Sequence, residues 1–139
     1  MTDLHCHILP AIDDGAKNAK VSMELLRMQN DAGITDIVCT PHFNPDSQNL
    51  EDFIDKRYRS ARYLADYVFR SELPVRLKFG AEVRISPTIL DLDFLPLCFQ
   101  KTKVMLLEMP RTLRPQWDTN VIYQLTLGGV IPLIAHIER

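Results

Sequence analysis

Short apolar segments alternate along the chain with longer amphipathic segments. Five apolar, β-branched segments predict strands, at 2–6, 34–40, 75–82, 103–109 and 130–136. Between them, apolar residues recur at the three- and four-residue spacing of a helix. Strands that alternate with helices in this way are typical of a parallel α/β sheet with crossover helices.

Capping and breaking residues predict where the helices begin and end. Asparagine accepts hydrogen bonds from a first helical turn, glycine ends a helix, and proline is tolerated only near its start. The residue pairs that bound the four predicted helices are Asn18 and Gly33, Asn49 and Pro74, Ser86 and Phe99, and Pro115 and Gly128. The third of these helices has a proline near each end, so we expect it to be short.

The chain length limits the choice of fold. Its 139 residues are enough for one domain, so we expect residues 1–139 to belong to a single domain. A closed α/β barrel has about 250 residues, considerably more than this chain. The pattern therefore predicts either an open α/β sheet or the amino-terminal part of a barrel.

Composition and charge exclude several functional classes. With 46% hydrophobic and 24% charged residues, the sequence is typical of a folded globular protein. A net charge of -2 lacks the basic footprint of a nucleic-acid-binding protein, so we expect no nucleic-acid partner. No apolar run approaches the roughly 18 residues of a membrane span, so we expect no membrane insertion and a cytoplasmic location. The three cysteines, Cys6, Cys39 and Cys98, are expected to be reduced and mostly buried.

Histidines and acidic residues follow the first two predicted strands. His5 and His7 are two residues apart, so on an extended strand both imidazoles face the same side and could hold one metal ion. Two partly exposed histidines are the simpler explanation of that pair alone. Asp13 and Asp14 lie in the next loop, where they either form a tight turn or supply a carboxylate ligand. His42 follows the second strand.

The later strands also end in residues that can bind metal. Glu108 ends an apolar strand that is expected to be buried on both faces, and an unpaired charge there costs several kcal/mol or more. An ion pair with Arg84 or Arg111 would satisfy it, and so would a cation shared with nearby histidines. Glu82 and His136 repeat the pattern at the ends of the third and fifth strands.

This coincidence predicts a metal site, because parallel α/β folds build their sites at the carboxyl ends of strands. The candidate ligands are His5, His7, Asp14, His42, Glu82, Glu108 and His136. Imidazole nitrogens together with carboxylate oxygens suit Mn, Zn or Fe. Seven candidate ligands are more than one tetrahedral ion can coordinate, so we expect more than one metal ion.

Six motifs carry a resemblance to a known family. They are Asp3-Leu4-His5-Cys6-His7-Ile8-Leu9-Pro10, Asp13-Asp14-Gly15-Ala16, Thr40-Pro41-His42, Gly80-Ala81-Glu82-Val83-Arg84, Leu107-Glu108, and Ile134-Ala135-His136-Ile137-Glu138-Arg139. In this order they resemble the bacterial capsular-polysaccharide protein-tyrosine phosphatases of the polymerase and histidinol phosphatase (PHP) superfamily. The resemblance covers the whole chain and about the first half of such a domain.

The resemblance implies the first five βα units of a distorted seven-stranded, TIM-like PHP barrel with a trinuclear, usually manganese, centre. It implies that the seven candidates above are metal ligands, with Glu82 bridging two ions, and that Arg139 and, more weakly, Arg84 contact phosphate. The family's later Asp-x-His ligand pair lies beyond Arg139. Ala11 and Ile137 depart from the family pattern, which usually has glycine and proline there.

The implied activity is metal-dependent hydrolysis of phosphotyrosine on a protein, specifically a tyrosine autokinase that regulates capsule or exopolysaccharide synthesis. A cysteine mechanism is excluded, because the residues six beyond the cysteines are Ile12, Pro45 and Val104 rather than arginine. Two alternatives stay open. One is a phosphatase of small metabolites, of the histidinol-phosphatase type, and the other is a non-catalytic remnant that binds metal.

An incomplete barrel also predicts self-association. Its first and fifth strands would be open edges, and the apolar segment 130–135 would expose unpaired backbone groups. We therefore expect a homo-oligomer. In isolation, this chain is expected to bind fewer ions than a complete domain and to hydrolyse phosphotyrosine poorly or not at all.

Overall fold

Parallel strands dominate the computed structural model, which describes residues 1–110 and 117–136. Within these residues there are seven strands, three α-helices and two short 3-10 helices. The strands are β1 (Thr2–Cys6), β2 (Asp36–Cys39), β3 (His42–Phe43), β4 (Arg76–Phe79), β5 (Glu82–Arg84), β6 (Val104–Glu108) and β7 (Ile131–Ala135). The α-helices are α1 (Ala19–Asp31), α2 (Leu50–Ser71) and α3 (Asp118–Leu127).

The strands form two sheets. One has the order β1-β2-β4 and the other β3-β5-β6-β7, and every neighbouring pair is parallel. The prediction of an α/β protein with parallel strands is confirmed. Apolar residues from strands and helices pack together in the core, where Ile37, Phe43, Leu64, Val83 and Leu107 are almost completely buried.

Two short strands follow the second and third predicted strands, so the prediction of five strands is wrong. The segment 34–40 contains β2, and β3 begins beyond it, after Pro41, which has no N–H to donate to a ladder. The segment 75–82 breaks at Gly80, where an added Cβ would lie 2.7 Å from the ring of Phe99. Because β2 pairs with β4 and β3 pairs with β5, the two breaks coincide and form the seam between the sheets.

The helix caps largely follow the sequence. The Asn18 side chain accepts a hydrogen bond from the Val21 N–H, and the Asn49 side chain accepts one from the Asp52 N–H, as predicted. Helix α3 ends at Gly128, also as predicted, whereas Pro115, its predicted first residue, lies outside the described residues.

The predicted short helix between Ser86 and Phe99 is wrong. That segment instead contains two 3-10 helices, Pro87–Asp91 and Leu95–Leu97. Each has a proline at its first or second residue. One continuous α-helix over the whole segment would place Pro96 in its interior, where proline has no N–H for the helical hydrogen bond, so the helices stay short.

The other global expectations concern cysteines and membranes. All three cysteines are buried and free, in agreement with the sequence. None of the helices in the described ranges combines the length and apolar character that crossing a bilayer requires.

Candidate metal centre

The seam between the sheets collects the predicted metal-binding residues. His5 lies in β1 and His7 directly follows that strand, while Glu108 ends β6 and His136 follows β7. The remaining strand residues, His42 and Glu82, do not end long strands but begin the short strands β3 and β5. They are direct neighbours across that strand pair.

The Glu82 carboxylate is the centre of the group. It is 0% exposed, and four imidazoles surround it. The Nε2 atoms of His5 and His7 each lie 3.0 Å from Glu82 Oε2, and His42 Nδ1 lies 3.3 Å from the same oxygen. His136 Nε2 lies 3.7 Å from Oε1. Although the imidazoles lie at ion-pair distances, neither oxygen has a partner with hydrogen-bond geometry among the described residues, and the same placement of donors would suit a shared cation.

Two further carboxylates reach the centre through His42. Its Nδ1 lies 3.9 Å from Glu108 Oε2, and its Nε2 lies 3.5 Å from Asp14 Oδ1. The Glu108 side chain is 17% exposed, whereas that of Asp14 is 84% exposed and stands at the rim. Among the described residues, no arginine forms an ion pair with Glu108, so the alternative pairing with Arg84 is absent. Arg111 lies outside those residues.

The donor atoms could hold more than one ion. Three overlapping groups have donor atoms within 4.8 Å of one another: His5, His7 and Glu82; His7, Asp14 and His42; and His42, Glu82 and Glu108. The Nε2 atoms of His5 and His7 are only 3.2 Å apart, a separation suited to two nitrogens that face one ion. All donors are nitrogen or oxygen, a set that suits Mn, Zn or Fe.

Asp13 has a role that the sequence did not reveal. Its Oδ2 lies 2.7 Å from His7 Nδ1 and accepts a hydrogen bond from the His42 N–H, and its Oδ1 accepts one from the Gly15 N–H. A carboxylate on one imidazole nitrogen directs the other nitrogen, here Nε2, toward the centre. The adjacent pair Asp13 and Asp14 was the only sequence signal, and it did not show which acid supports the histidine.

Charge compensation shifts the pKa values of this group. Burial lowers the pKa of His7, but the carboxylates of Asp13 and Glu82 outweigh it and raise that pKa from 6.5 to about 10. Burial raises the pKa of Glu82, yet the imidazoles of His5 and His7 hold it well below its usual range. Without metal, therefore, His7 is a cation held between two anions at neutral pH.

Tight backbone geometry shapes the loop that joins β1 to α1. The Ala11 N–H donates to Ala16 O, and the Ala16 N–H donates to His7 O. Ala11 has a φ of 56°, in the left-handed region that favours glycine. An added Cβ on Gly15 would lie 2.2 Å from His7 O, so the loop closes against His7 only because residue 15 has no side chain.

The predicted phosphate contacts are only partly described. Arg84 is exposed and lies two residues beyond Glu82 on β5, hence on the same face of the strand. It lines a groove of about 410 Å³ together with His42, Glu108 and Met109. Arg139 and Ile137 lie outside the described residues.

Comparison with known proteins agrees with the motifs. The family model described as "Capsular polysaccharide synthesis, CpsB/CapC" matches residues 1–139. The chain is 35% identical to the tyrosine-protein phosphatase YwqE of Bacillus subtilis over 100% of this chain and 55% of that protein. It is 27% identical to the tyrosine-protein phosphatase CpsB of Streptococcus agalactiae, over 100% of this chain and 57% of that protein.

A solved structure has the same fold. It comes from crystallographic work on YwqE from Bacillus subtilis and CpsB from Streptococcus pneumoniae, described as unique metal-dependent tyrosine phosphatases. It matches with a TM-score of 0.86 and 35% identity, over 99% of this chain and 56% of the other. The present chain thus spans slightly more than half the length of the relatives that it matches.

Replacing Asp13 tests its support of His7. We expect Asp13→Ala to weaken binding of Mn²⁺, used as the probe ion, by about 10- to 100-fold, because the His7 ring loses the acceptor that orients it. Asp13→Asn keeps an acceptor oxygen and should lose less. Calorimetric titration measures the affinities, with Asp31→Ala at an exposed acid on α1 as the control. Equal affinities for Asp13→Ala and Asp31→Ala would contradict the assigned role.

Proposed function

Because this chain belongs to the CpsB/CapC family of capsular polysaccharide synthesis proteins, we propose that residues 1–139 form the amino-terminal part of a metal-dependent protein-tyrosine phosphatase domain. The observation that carries the proposal is the buried Glu82 carboxylate, which faces four imidazoles and accepts no hydrogen bond from the described residues. The names of the relatives support the choice of phosphotyrosine among phosphate esters.

The proposed ligands are the seven residues predicted from the strand ends: His5, His7, Asp14, His42, Glu82, Glu108 and His136. Glu82 is the proposed bridge between two ions, because Oε2 faces three of the imidazoles while Oε1 faces His136. The nitrogen and oxygen donors suit Mn²⁺, which we propose as the principal ion, with Zn or Fe as substitutes. Bound ions supply Lewis acidity toward phosphoryl oxygens and activate water for hydrolysis.

The chain's own residues would position the phosphoester. The groove beside His42 and Glu108 opens directly on the centre and could take the leaving group of a substrate whose phosphate lies at the ions. Arg84, which is exposed and lines that groove, is the proposed phosphate contact, and its positive charge also acts on the Asp46 carboxylate. Arg139 is proposed for the same role from its motif alone. Asp13 holds the His7 ring with Nε2 toward the Glu82 carboxylate, where that nitrogen would bind an ion.

The order of the strands supports a barrel. If β2 with β3 and β4 with β5 count as two bent strands, the spatial order follows the chain order from β1 to β7. A doubly wound open sheet instead reverses its strand order at a switch point. We therefore propose that the chain supplies the first five βα units of a distorted seven-stranded PHP barrel.

The free strand edges support self-association. In the described chain, β1 and β7 each have one unpaired side, and Leu4 and Ile131 on these strands are exposed. Exposed edges with apolar residues favour pairing with another chain. We propose that this chain forms homo-oligomers, which light scattering would detect.

The proposed substrate is a phosphotyrosine protein, in particular a tyrosine autokinase of capsule or exopolysaccharide synthesis. The three free cysteines support a reducing compartment, and we propose the cytoplasm. The two alternative functions, a small-metabolite phosphatase and a metal-binding remnant, are outcomes of the test below.

Turnover of two substrates distinguishes these functions. Because this chain spans only part of the proposed domain, we expect it to hydrolyse a phosphotyrosine peptide slowly with Mn²⁺ present, but faster than histidinol phosphate, and Glu82→Gln to lower that rate by about 100-fold or more. Phosphate release is the measurement. A preference for histidinol phosphate would show a small-metabolite enzyme, and Mn²⁺ binding with no detectable turnover of either ester would show a remnant.

Metal binding should depend on pH through His7. A ligand imidazole must be neutral, whereas the raised pKa of about 10 keeps His7 protonated at neutral pH, so each ion bound there displaces a proton. We expect the Mn²⁺ affinity to rise about tenfold for each pH unit between about pH 7 and 8.5. Titrations at several pH values measure this slope. An affinity that does not change over that range would show that His7 loses no proton when the ion binds.

A further inference from the structure

Helix α2 contributes none of the proposed ligands, yet two of its side chains donate hydrogen bonds to the loop between β1 and α1. Lys56 Nζ donates to Ile12 O at 2.8 Å, and Ser60 Oγ donates to Pro10 O at 2.8 Å. The two donors are four residues apart, so they lie on the same face of the helix. Helix α2 therefore binds the middle of this loop at two carbonyls, those on either side of Ala11.

The two bonds from α2 add to the hydrogen bonds of Asp13 and Ala16, which also fix the backbone beside Asp14. Asp14 is the proposed ligand that the loop carries, and its side chain is 84% exposed. Its Oδ1 lies 3.5 Å from His42 Nε2. The backbone of the loop must therefore set the position of the Asp14 carboxylate, and Ala11, with its left-handed φ, is a strained point in that backbone.

The hydrogen bonds from Ser60 and Lys56 satisfy loop carbonyls that would otherwise be costly to bury. Pro10 and Ile12 are buried, and a buried carbonyl without a partner is costly. The Lys56 ammonium forms no ion pair with a carboxylate among the described residues, so its hydrogen bond to Ile12 O is its principal contact. A charged donor makes a stronger hydrogen bond to a carbonyl than a neutral one does.

We infer that Ser60 and Lys56 are positioning residues, which hold the loop so that Asp14 can serve as a metal ligand. The inference rests on the proposed metal centre and adds to it a support that comes from a helix outside the ligand set. Asp13 is fixed separately, through the N–H groups of Gly15 and His42. Ser60 is therefore expected to act on metal binding through Asp14.

Replacement of Ser60 tests the inference against a matched control on the same helix. Ser71 also donates its hydroxyl to a carbonyl, that of Val68 at 2.9 Å, but at the exposed end of α2. We expect Ser60→Ala to weaken Mn²⁺ binding about tenfold, whereas Ser71→Ala leaves it unchanged. Ser60→Thr keeps a hydroxyl donor and should restore most of the affinity. Calorimetry gives the affinity, and thermal unfolding of the metal-free protein is recorded for each variant.

A double-mutant cycle separates positioning from general destabilisation. In an Asp14→Asn background there is no carboxylate left to position, so we expect Ser60→Ala to change the Mn²⁺ affinity by less than about twofold there. The loss in thermal stability should be similar in both backgrounds. A full tenfold loss of affinity in the Asp14→Asn background would overturn the inference, since Ser60 would then act without Asp14.

Lys56 supplies a second variant in case Ser60→Ala folds poorly. Lys56→Met should weaken Mn²⁺ binding in the parent and not in the Asp14→Asn background, while Lys20→Met at an exposed position on α1 should have no effect. Failure of the parent chain to bind Mn²⁺ would overturn the proposed function and the inference with it. Normal binding by the parent, by Ser60→Ala and by Lys56→Met would overturn the inference alone.

Discussion

Burial of the Glu82 carboxylate is the constraint on which the centre depends. An ionised carboxylate removed from water costs several kcal/mol unless it is paired, a large part of the roughly 5–15 kcal/mol that stabilises a typical domain. The protein surrounds this group with four imidazoles and offers it no hydrogen bond from the described residues. Such an arrangement is stable only when positive charge resides there. A proton on His7 provides that charge in the metal-free protein, and a divalent ion would provide more of it.

The fold brings the candidate ligands to Glu82 through the coincident strand breaks. Since β3 pairs with β5 in register, His42 is the direct neighbour of Glu82. Both residues begin strands at the seam, where the carboxyl end of β1 delivers His5 and His7 from the first sheet. The ends of β6 and β7 deliver the last two candidates from the second sheet. The break between the two short parallel sheets therefore brings the candidate metal-binding side chains together, whereas unbroken strands would place them along one edge of a sheet.

The sequence predicted those features that depend on local chemistry. The asparagine caps of α1 and α2 depend on backbone groups within three residues, and the apolar runs depend on burial that every strand of a parallel sheet shares. The candidate ligands were recognisable because polar residues recur after apolar runs. The break at Gly80 was not predictable, because it depends on close contact with Phe99. The function of Asp13 depends on the His42 backbone, 29 residues away, which no local pattern encodes.

The central claim is that the cation on Glu82 is a metal ion rather than protonated imidazole alone. Anomalous X-ray scattering from crystals grown with Mn²⁺, collected on both sides of the manganese absorption edge, tests it most directly. The account predicts at least one manganese peak about 2.2 Å from a Glu82 oxygen, with histidine nitrogens at similar distances. Crystals grown with Mn²⁺ that show no anomalous peak at Glu82, and imidazoles still 3 Å or more from its oxygens, would contradict it.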